Sequence, residues 1–276
     1  MGTHMQHQKI AFIGGGNMAS AIIGGLLQQG LAGSQIAVVE PMPEARERLT
    51  RQFGVAAHAT PDAALTGAHL VVWAVKPQTF REAAQQARAY TGGALHLSVA
   101  AGIRSDSIAQ WLGSERVVRS MPNTPALIGK GITALFARTA VTAADKALVD
   151  SVVATTGESL WVTEEAQLDA VTALSGSGPA YVFYFIEAMT EAGAAMGLPA
   201  EQAQRLAVAT FIGAGELAKA SDETPAVLRQ RVTSKGGTTY AALMSMEKDE
   251  VKAQFMRALH AAQVRARELG DEFGAS

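Results

Sequence analysis

Short apolar runs rich in Val and Ile recur between Lys9 and Trp161: KIAFI, QIAVV, HLVVWAV, ALHLSVA, RVVRSM and GITALFA. Stretches of helical length, such as 17–29, 43–53 and 79–90, separate most of them. The runs are almost continuously apolar instead of alternating. That is the pattern of parallel strands covered by helices on both faces. After Thr163 the β-branched runs stop, and Ala, Leu, Met, Glu and Gln take over. PAYVFYFIEAMTEAGAAMG opens with Pro179 at a first-turn position. Two further helices follow, LPAEQAQRLAVATFIGAGELAKA and DEVKAQFMRALHAAQVRAREL, the latter with Asp249 as its N-cap. The expected fold class is α/β, with a doubly wound sheet over residues 7–162 followed by an all-α domain over 163–276.

The segment from Pro179 to Gly197 is apolar around most of its circumference, with Glu187 and Glu191 as exceptions. Such a helix must be covered on several sides. A small helical domain offers little to cover it with, so a partner subunit is expected. A self-contained bundle is the alternative.

Composition narrows the function classes. At 48% hydrophobic and 17% charged residues, the chain can bury a sizeable core. A net charge of −2 argues against a nucleic-acid partner. Cysteine is absent, which excludes disulfides, thiolate zinc sites and a thiol nucleophile and favours a reducing, cytoplasmic setting. No metal site is expected. The apolar runs fall far short of the ~18 residues of a membrane helix, and no signal-peptide pattern opens the chain. MGTHM reads as a cloning remnant.

The first chemical motif lies in KIAFIGGGNMASAIIGGLL. Gly14, Gly16 and Ala19 form a G-x-G-x-x-A pattern directly after a strand and before a helix, the context of a dinucleotide-binding, Rossmann-type turn. Gly14 makes the tight turn and Gly16 lets the backbone approach a pyrophosphate. Ala19 permits close helix–strand packing, and the helix N-terminus supplies N–H donors. Glu40 closes QIAVVE, where an acid accepts hydrogen bonds from an adenosine ribose and repels a 2′-phosphate. Arg46 and Arg48 follow and could still meet such a phosphate. NADH and NADPH therefore both stay open.

The missing residues restrict the reaction. No histidine lies between His96 and His260, and no lysine between Lys146 and Lys219. Two-domain dehydrogenases of hydroxy acids need a lysine, usually with an asparagine, on the first long C-terminal helix. Here SGSGPAYVFYFIEAM carries neither. A protonated imine accepts a hydride without a strong enzyme base, so binding and orientation suffice. TSKGGTT, residues 233–239, suits that task. Its glycine pair can present backbone N–H groups to a carboxylate, and Thr238 and Thr239 add hydroxyl donors. It reads equally as the N-terminal turn of a helix running through YAALMSMEK.

The stretches FIGGGNMASAI, VVWAVKPQ, LSVAAGI, RSMPNTPALIGKG, DAVTALSGSGPAYVF and SKGGTTYAAL occur in this order. Together they make the chain resemble pyrroline-5-carboxylate reductases over essentially its whole length from Lys9. The resemblance implies a Rossmann domain with an all-α dimerisation domain, a dimer or ring of dimers, and reduction of 1-pyrroline-5-carboxylate to L-proline with NAD(P)H. It also implies site residues. Ile13, Gly14, Gly15, Gly16, Asn17 and Met18 form the pyrophosphate turn, and Glu40 sits at the adenosine ribose. Ala74, Val75, Lys76 and Pro77, with Ala100, Ala101 and Gly102, line the nicotinamide side. Asn123 lies near the coenzyme, with a plain Asn-Thr-Pro turn as the competing reading. Gly237, Thr238 and Thr239 hold the substrate carboxylate, while Ser177 and Glu165 sit close by. The catalytic candidates are Thr239, as proton donor to the ring nitrogen, and Lys76, for which a simple strand-end charge is the alternative.

Two positions depart from the family pattern. Lys235 stands where SPGGTT has proline, and Glu40 stands where NADPH-preferring members carry small polar or basic residues. The competing functions are reduction of another small cyclic imine carboxylate and, in a different class, a non-catalytic NAD(P)-binding redox sensor. The helical half argues against an F420-dependent or metal-reductase relative that shares only the Rossmann half.

Overall fold

The computed structural model describes residues 8–274. The strands are β1 (Ile10–Ile13), β2 (Ile36–Val39), β3 (Ala56–His58), β4 (Leu70–Trp73), β5 (Leu95–Ser98), β6 (Val117–Met121), β7 (Gly131–Ala137) and β8 (Gly157–Trp161). They form one sheet in the order β3-β2-β1-β4-β5-β6-β7-β8. The chain runs outward from β1 to β3, then returns to place β4 on the other side of β1. This reversal opens a crevice at the carboxyl ends of β1 and β4, the usual ligand position in such sheets.

Two strands go beyond the sequence reading, and one corrects it. The edge strands β3, of only three residues, and β8, mostly exposed, contain no fully buried residue, so they lack the signal of a buried strand. The expected all-parallel sheet is broken at β6, which pairs antiparallel with β7. These strands are joined through a short 3₁₀ turn, Thr124–Ile128. A parallel return needs a crossover of about a dozen residues or more, usually a helix.

Helices α1 (Asn17–Gln28), α2 (Pro43–Phe53), α3 (Pro77–Ala87), α4 (Ser105–Leu112) and α5 (Ala143–Val153) accompany the sheet. Successive strand residues face opposite sides. Phe12, Val38, Val72 and Leu97 therefore pack with Ile22, Ile23 and Leu26 of α1 and Val149 and Val152 of α5. Ile13, Val71 and Trp73 pack with Phe80 and Ala84 of α3 and Ile108 and Leu112 of α4. Both faces are covered, which is why the strands read as continuous apolar runs.

The chain divides into two compact units, one of residues 8–176 with 262–274 and one of 177–261. This division differs from a boundary at 162/163. The segment after β8, including α6 (Gln167–Val171), packs on β7 and ties Glu165 to Arg119 of β6.

The second unit comprises α7 (Gly178–Ala195), α8 (Ala200–Ala220), α9 (Pro225–Arg231), α10 (Thr238–Lys248) and the first part of α11 (Val251–Gly274). Within it, α7 packs so closely on α8 that a Cβ on Gly193 would lie 2.8 Å from the Cβ of Ala203. Tyr181, Phe185 and Phe255 form an aromatic cluster. The expected cap Asp249 does not begin the last helix; it is the C-cap of α10. Glu250, at φ 52°, separates the two helices.

Candidate active site

The β1–α1 turn starts from a backbone that only glycine adopts readily. Gly14 has φ +96°, and a Cβ there would stand 2.5 Å from the carbonyl oxygen of Ala74. Its N–H donates to Val39 at 2.8 Å, which binds the turn to the end of β2. Gly16 precedes α1 without a side-chain cap and has open space where its Cβ would be. The first N–H groups of α1, on Asn17 and Met18, have no intrahelical acceptor. Together with the positive end of the helix dipole they make an anion site. Ile13 is buried at the end of β1, and Met18 packs against the core.

Glu40 is buried directly beside this turn. One carboxylate oxygen accepts the N–H of Gly15 at 2.9 Å, and the other accepts that of Met42 at 2.9 Å. Arg46 donates to the carbonyl oxygens of Glu40 and Pro41 at 2.8 and 2.6 Å. Arg48 points instead into a cleft with Asn17, Ser20 and Gly24 of α1. Of these two arginines of one helix turn, Arg46 thus holds the end of β2 while Arg48 faces α1.

Three more segments end on the same carboxyl edge. Ala74–Pro77 leaves β4, with Lys76 exposed at the N-cap of α3. Ala100–Gly102 leaves β5, Gly102 being left-handed at φ +73°. Asn123 follows β6 and precedes the 3₁₀ turn; its Oδ1 accepts the N–H of Ile132 at 3.0 Å, so it also holds the start of β7. The structure therefore brings the turn, Glu40, Ala74–Pro77, Ala100–Gly102 and Asn123 together on one edge of the sheet.

Glu165 is committed within this unit. It accepts from the Ser105 N–H at 2.6 Å, the Ser105 hydroxyl at 2.5 Å and the Arg119 guanidinium at 2.6 Å. Burial raises the pKa of nearby Asp169 from its ordinary value, against the pull of Arg119, Arg104 and Arg267. Sequence reasoning passed over Arg119 and Ser105, although a charged residue inside the apolar run RVVRSM was a signal.

His96 lies within β5, where the Trp73 indole N–H donates to its Nδ1 at 3.2 Å. Burial, followed by the charge of Arg116, lowers its pKa from 6.5 to about 4. It is a neutral core residue.

In the second unit Gly236 is left-handed at φ +77°, and Gly237 is the N-cap of α10. Thr238 and Thr239 are exposed in the first turn. The N–H groups from Thr238 to Tyr240 have no intrahelical acceptor. Ser177 precedes α7 and accepts the Ala180 N–H at 3.0 Å.

A glycine turn at the switch point of a doubly wound sheet, an acid at the end of β2 and a helical second unit define a dinucleotide-dependent oxidoreductase. The family described as NADP oxidoreductase coenzyme F420-dependent matches residues 9–102. The family described as Pyrroline-5-carboxylate reductase dimerisation matches residues 165–269. The pyrroline-5-carboxylate reductase of Pseudomonas aeruginosa is 43% identical over 272 residues, covering 98% of this chain and 100% of the relative. A solved pyrroline-5-carboxylate reductase from Coxiella burnetii has TM-score 0.88 and 37% identity, covering 95% and 98% of the two chains. That of Plasmodium falciparum with NADP bound has TM-score 0.86 and 29% identity, covering 96% and 99%. The chain belongs to the pyrroline-5-carboxylate reductase family.

Proposed function

We propose that the chain reduces the C=N bond of 1-pyrroline-5-carboxylate to give L-proline, with NAD(P)H as coenzyme. The observation that carries this reading is the similarity to the Pseudomonas aeruginosa enzyme, which runs through both units almost without remainder. The glycine turn supports the coenzyme on physical grounds, since a cradle closed to a side chain at Gly14 and open in front of Gly16 fits a pyrophosphate.

When bound, the coenzyme supplies the hydride. The protein's own groups bind and orient. The N–H groups of Gly16, Asn17 and Met18 hold the pyrophosphate, Gly14 and Gly15 shape the turn through their bonds to Val39 and Glu40, and Glu40 meets the adenosine ribose. Ala74–Pro77, Ala100–Gly102 and Asn123 line the nicotinamide side, with Lys76 adding positive charge at that rim. Gly237, Thr238 and Thr239 receive the substrate carboxylate at the N-terminus of α10, where unsatisfied N–H groups favour an anion. The Thr239 hydroxyl delivers a proton to the ring nitrogen, directly or through a water. Ser177 borders the substrate. Glu165, engaged by Ser105 and Arg119, sits near the substrate.

The chain acts as a homodimer or ring of dimers, a reading supported by the dimerisation-family match and by the exposed side chains of α7. Its place is the cytoplasm. The lack of cysteine supports a reducing compartment, and no described helix is long and apolar enough to cross a membrane.

The test is loss of reduced-coenzyme absorbance with 1-pyrroline-5-carboxylate, using NADH and NADPH in parallel with a six-membered cyclic imine carboxylate. Turnover confined to the six-membered substrate would move the assignment to that imine. Stoichiometric coenzyme binding without turnover on either imine would move it to a sensor.

A further inference from the structure

We infer that the C-terminal turn of α11 is a strut for the loop after β5, with Phe273 and Asp271 as positioning residues for the nicotinamide end of the coenzyme. The inference rests on the proposed assignment of Ala100–Gly102 to the nicotinamide side.

The loop has little to fix it from within. Val99 is the last residue in register, donating to Trp73 at 3.0 Å. The N–H of Ala100 donates locally, to the Ser98 hydroxyl at 3.3 Å. Gly102 is left-handed, and Arg104 is extended before α4 begins. Regular hydrogen bonding resumes in α4, so the path between Ala100 and Arg104 depends on what packs behind it.

What packs behind it is α11. A Cβ on Gly102 would stand 3.2 Å from both the Leu269 Cβ and a Phe273 ring carbon. Phe273 packs against the core cluster that contains Ala100 and Ile103. Arg104 pairs with Asp271 at 2.5 Å, and a Cβ on Gly270 would lie 3.3 Å from the Arg104 side chain. Where the loop enters α4, Glu165 holds Ser105. The last turn of α11 thus holds the loop at Gly102 and Arg104 and Glu165 holds it at Ser105, and all of these residues belong to one compact unit.

Hydride transfer needs the donor within about half an ångström of its productive position. Loosening this loop should therefore harm the reaction more than the binding of the adenosine half, which rests on the β1–α1 turn and Glu40.

The experiment uses the full chain with Phe273→Ala, Phe273→Leu, Asp271→Ala and, in the loop itself, Ala101→Phe. It measures kcat, the KM of the preferred coenzyme, the Kd of ADP-ribose or its 2′-phosphate, which lack nicotinamide, and the melting temperature. Phe273→Ala is expected to lower kcat about tenfold with the fragment Kd within about twofold, and Phe273→Leu to restore most of the rate. Asp271→Ala should cost only about two- to threefold, because the pair is largely exposed. A normal kcat in Phe273→Ala, with Ala101→Phe impaired, overturns the strut and spares the nicotinamide assignment. Parallel loss of fragment affinity and rate also overturns it, since the helix end would then act only on general stability. Unaltered coenzyme kinetics in Ala101→Phe would show that the loop does not face nicotinamide, and the inference would fall with that assignment.

Discussion

The carboxylate of Glu40 accepts the backbone N–H of Gly15 at 2.9 Å. The acid at the end of β2 is thereby fastened to the glycine turn at the end of β1. A Cβ on Gly15 would come within 3.3 Å of the Glu40 Cβ, so the two strand ends are in close contact. A residue placed to read the ribose also shapes the turn that receives the pyrophosphate.

Glu40→Ser should therefore do two things. It should shift the kcat/KM ratio toward NADPH, mainly through KM, because remote binding is largely uniform along the reaction. The carboxylate opposes a phosphate of about −1.5 to −2 charge, so the unsubstituted chain should use NADH at least as well as NADPH. Freed from the N–H groups of Gly15 and Met42, the turn should also bind NADH less well, at roughly 1 kcal/mol per lost bond. Steady-state kinetics with both coenzymes decide the matter; an unchanged ratio would leave the choice to Arg46 and Arg48.

Thr239→Ala should lower turnover more than it weakens coenzyme binding. A single proton-donating hydrogen bond to a charged group is worth about 1.5–3 kcal/mol, or roughly ten- to a hundredfold in rate. A kcat within a factor of two of the unsubstituted enzyme would transfer the donor's role to a water.

Gly14→Ala should abolish coenzyme binding and lower stability. The new methyl would meet the Ala74 carbonyl at 2.5 Å on a backbone at φ +96°. Side chains are strained in such conformations by about 1–3 kcal/mol, before the clash is counted. Calorimetric titration with coenzyme and a melting curve report the two effects separately. Wild-type affinity would mean that the turn rearranges.

Stability should fall as the solution is acidified below neutral. His96 stays neutral in the fold down to about pH 4, whereas an exposed histidine takes up its proton near 6.5. The unfolded chain therefore binds a proton that the folded chain refuses, and stability is lost progressively from about pH 6.5 to 4, on the order of 3 kcal/mol. Urea midpoints at pH 7 and 5 should diverge less in His96→Gln, which can still accept from the Trp73 indole. Equal pH sensitivity in the two proteins would assign the effect to other groups.

The active species should be at least a dimer. Phe183 and Tyr184 of α7 are 64% and 68% exposed within the single chain, and contiguous apolar surface on this scale is uncommon on monomers. Sedimentation of active enzyme at 28.8 kDa would disprove it.

Local pattern determined a good deal of this protein. The strand–turn–helix around Gly14 was legible because a glycine turn, an apolar strand and a helix start are all properties of neighbouring residues. β1, β2, β4, β5, β6 and β7 were legible because burial makes each a largely apolar run. The helix that opens at Pro179 and the turn before α10 were legible from proline and glycine at helix starts. The order of short motifs identified the family.

Tertiary structure decided what depends on residues far apart in the chain. β3 and β8 lie at the sheet edges, held by pairing with β2 and β7 and not by burial on both faces. β7 runs antiparallel because the turn before it is too short to cross back. Glu40 reads in the sequence as an acceptor for a ribose, and in the fold it also accepts two backbone N–H groups. Glu165 is drawn to Arg119 and Ser105, and the end of α11 returns to the loop after β5. No period or propensity encodes these pairings, because each is a contact between segments that meet only when the sheet has closed its order and both faces are packed.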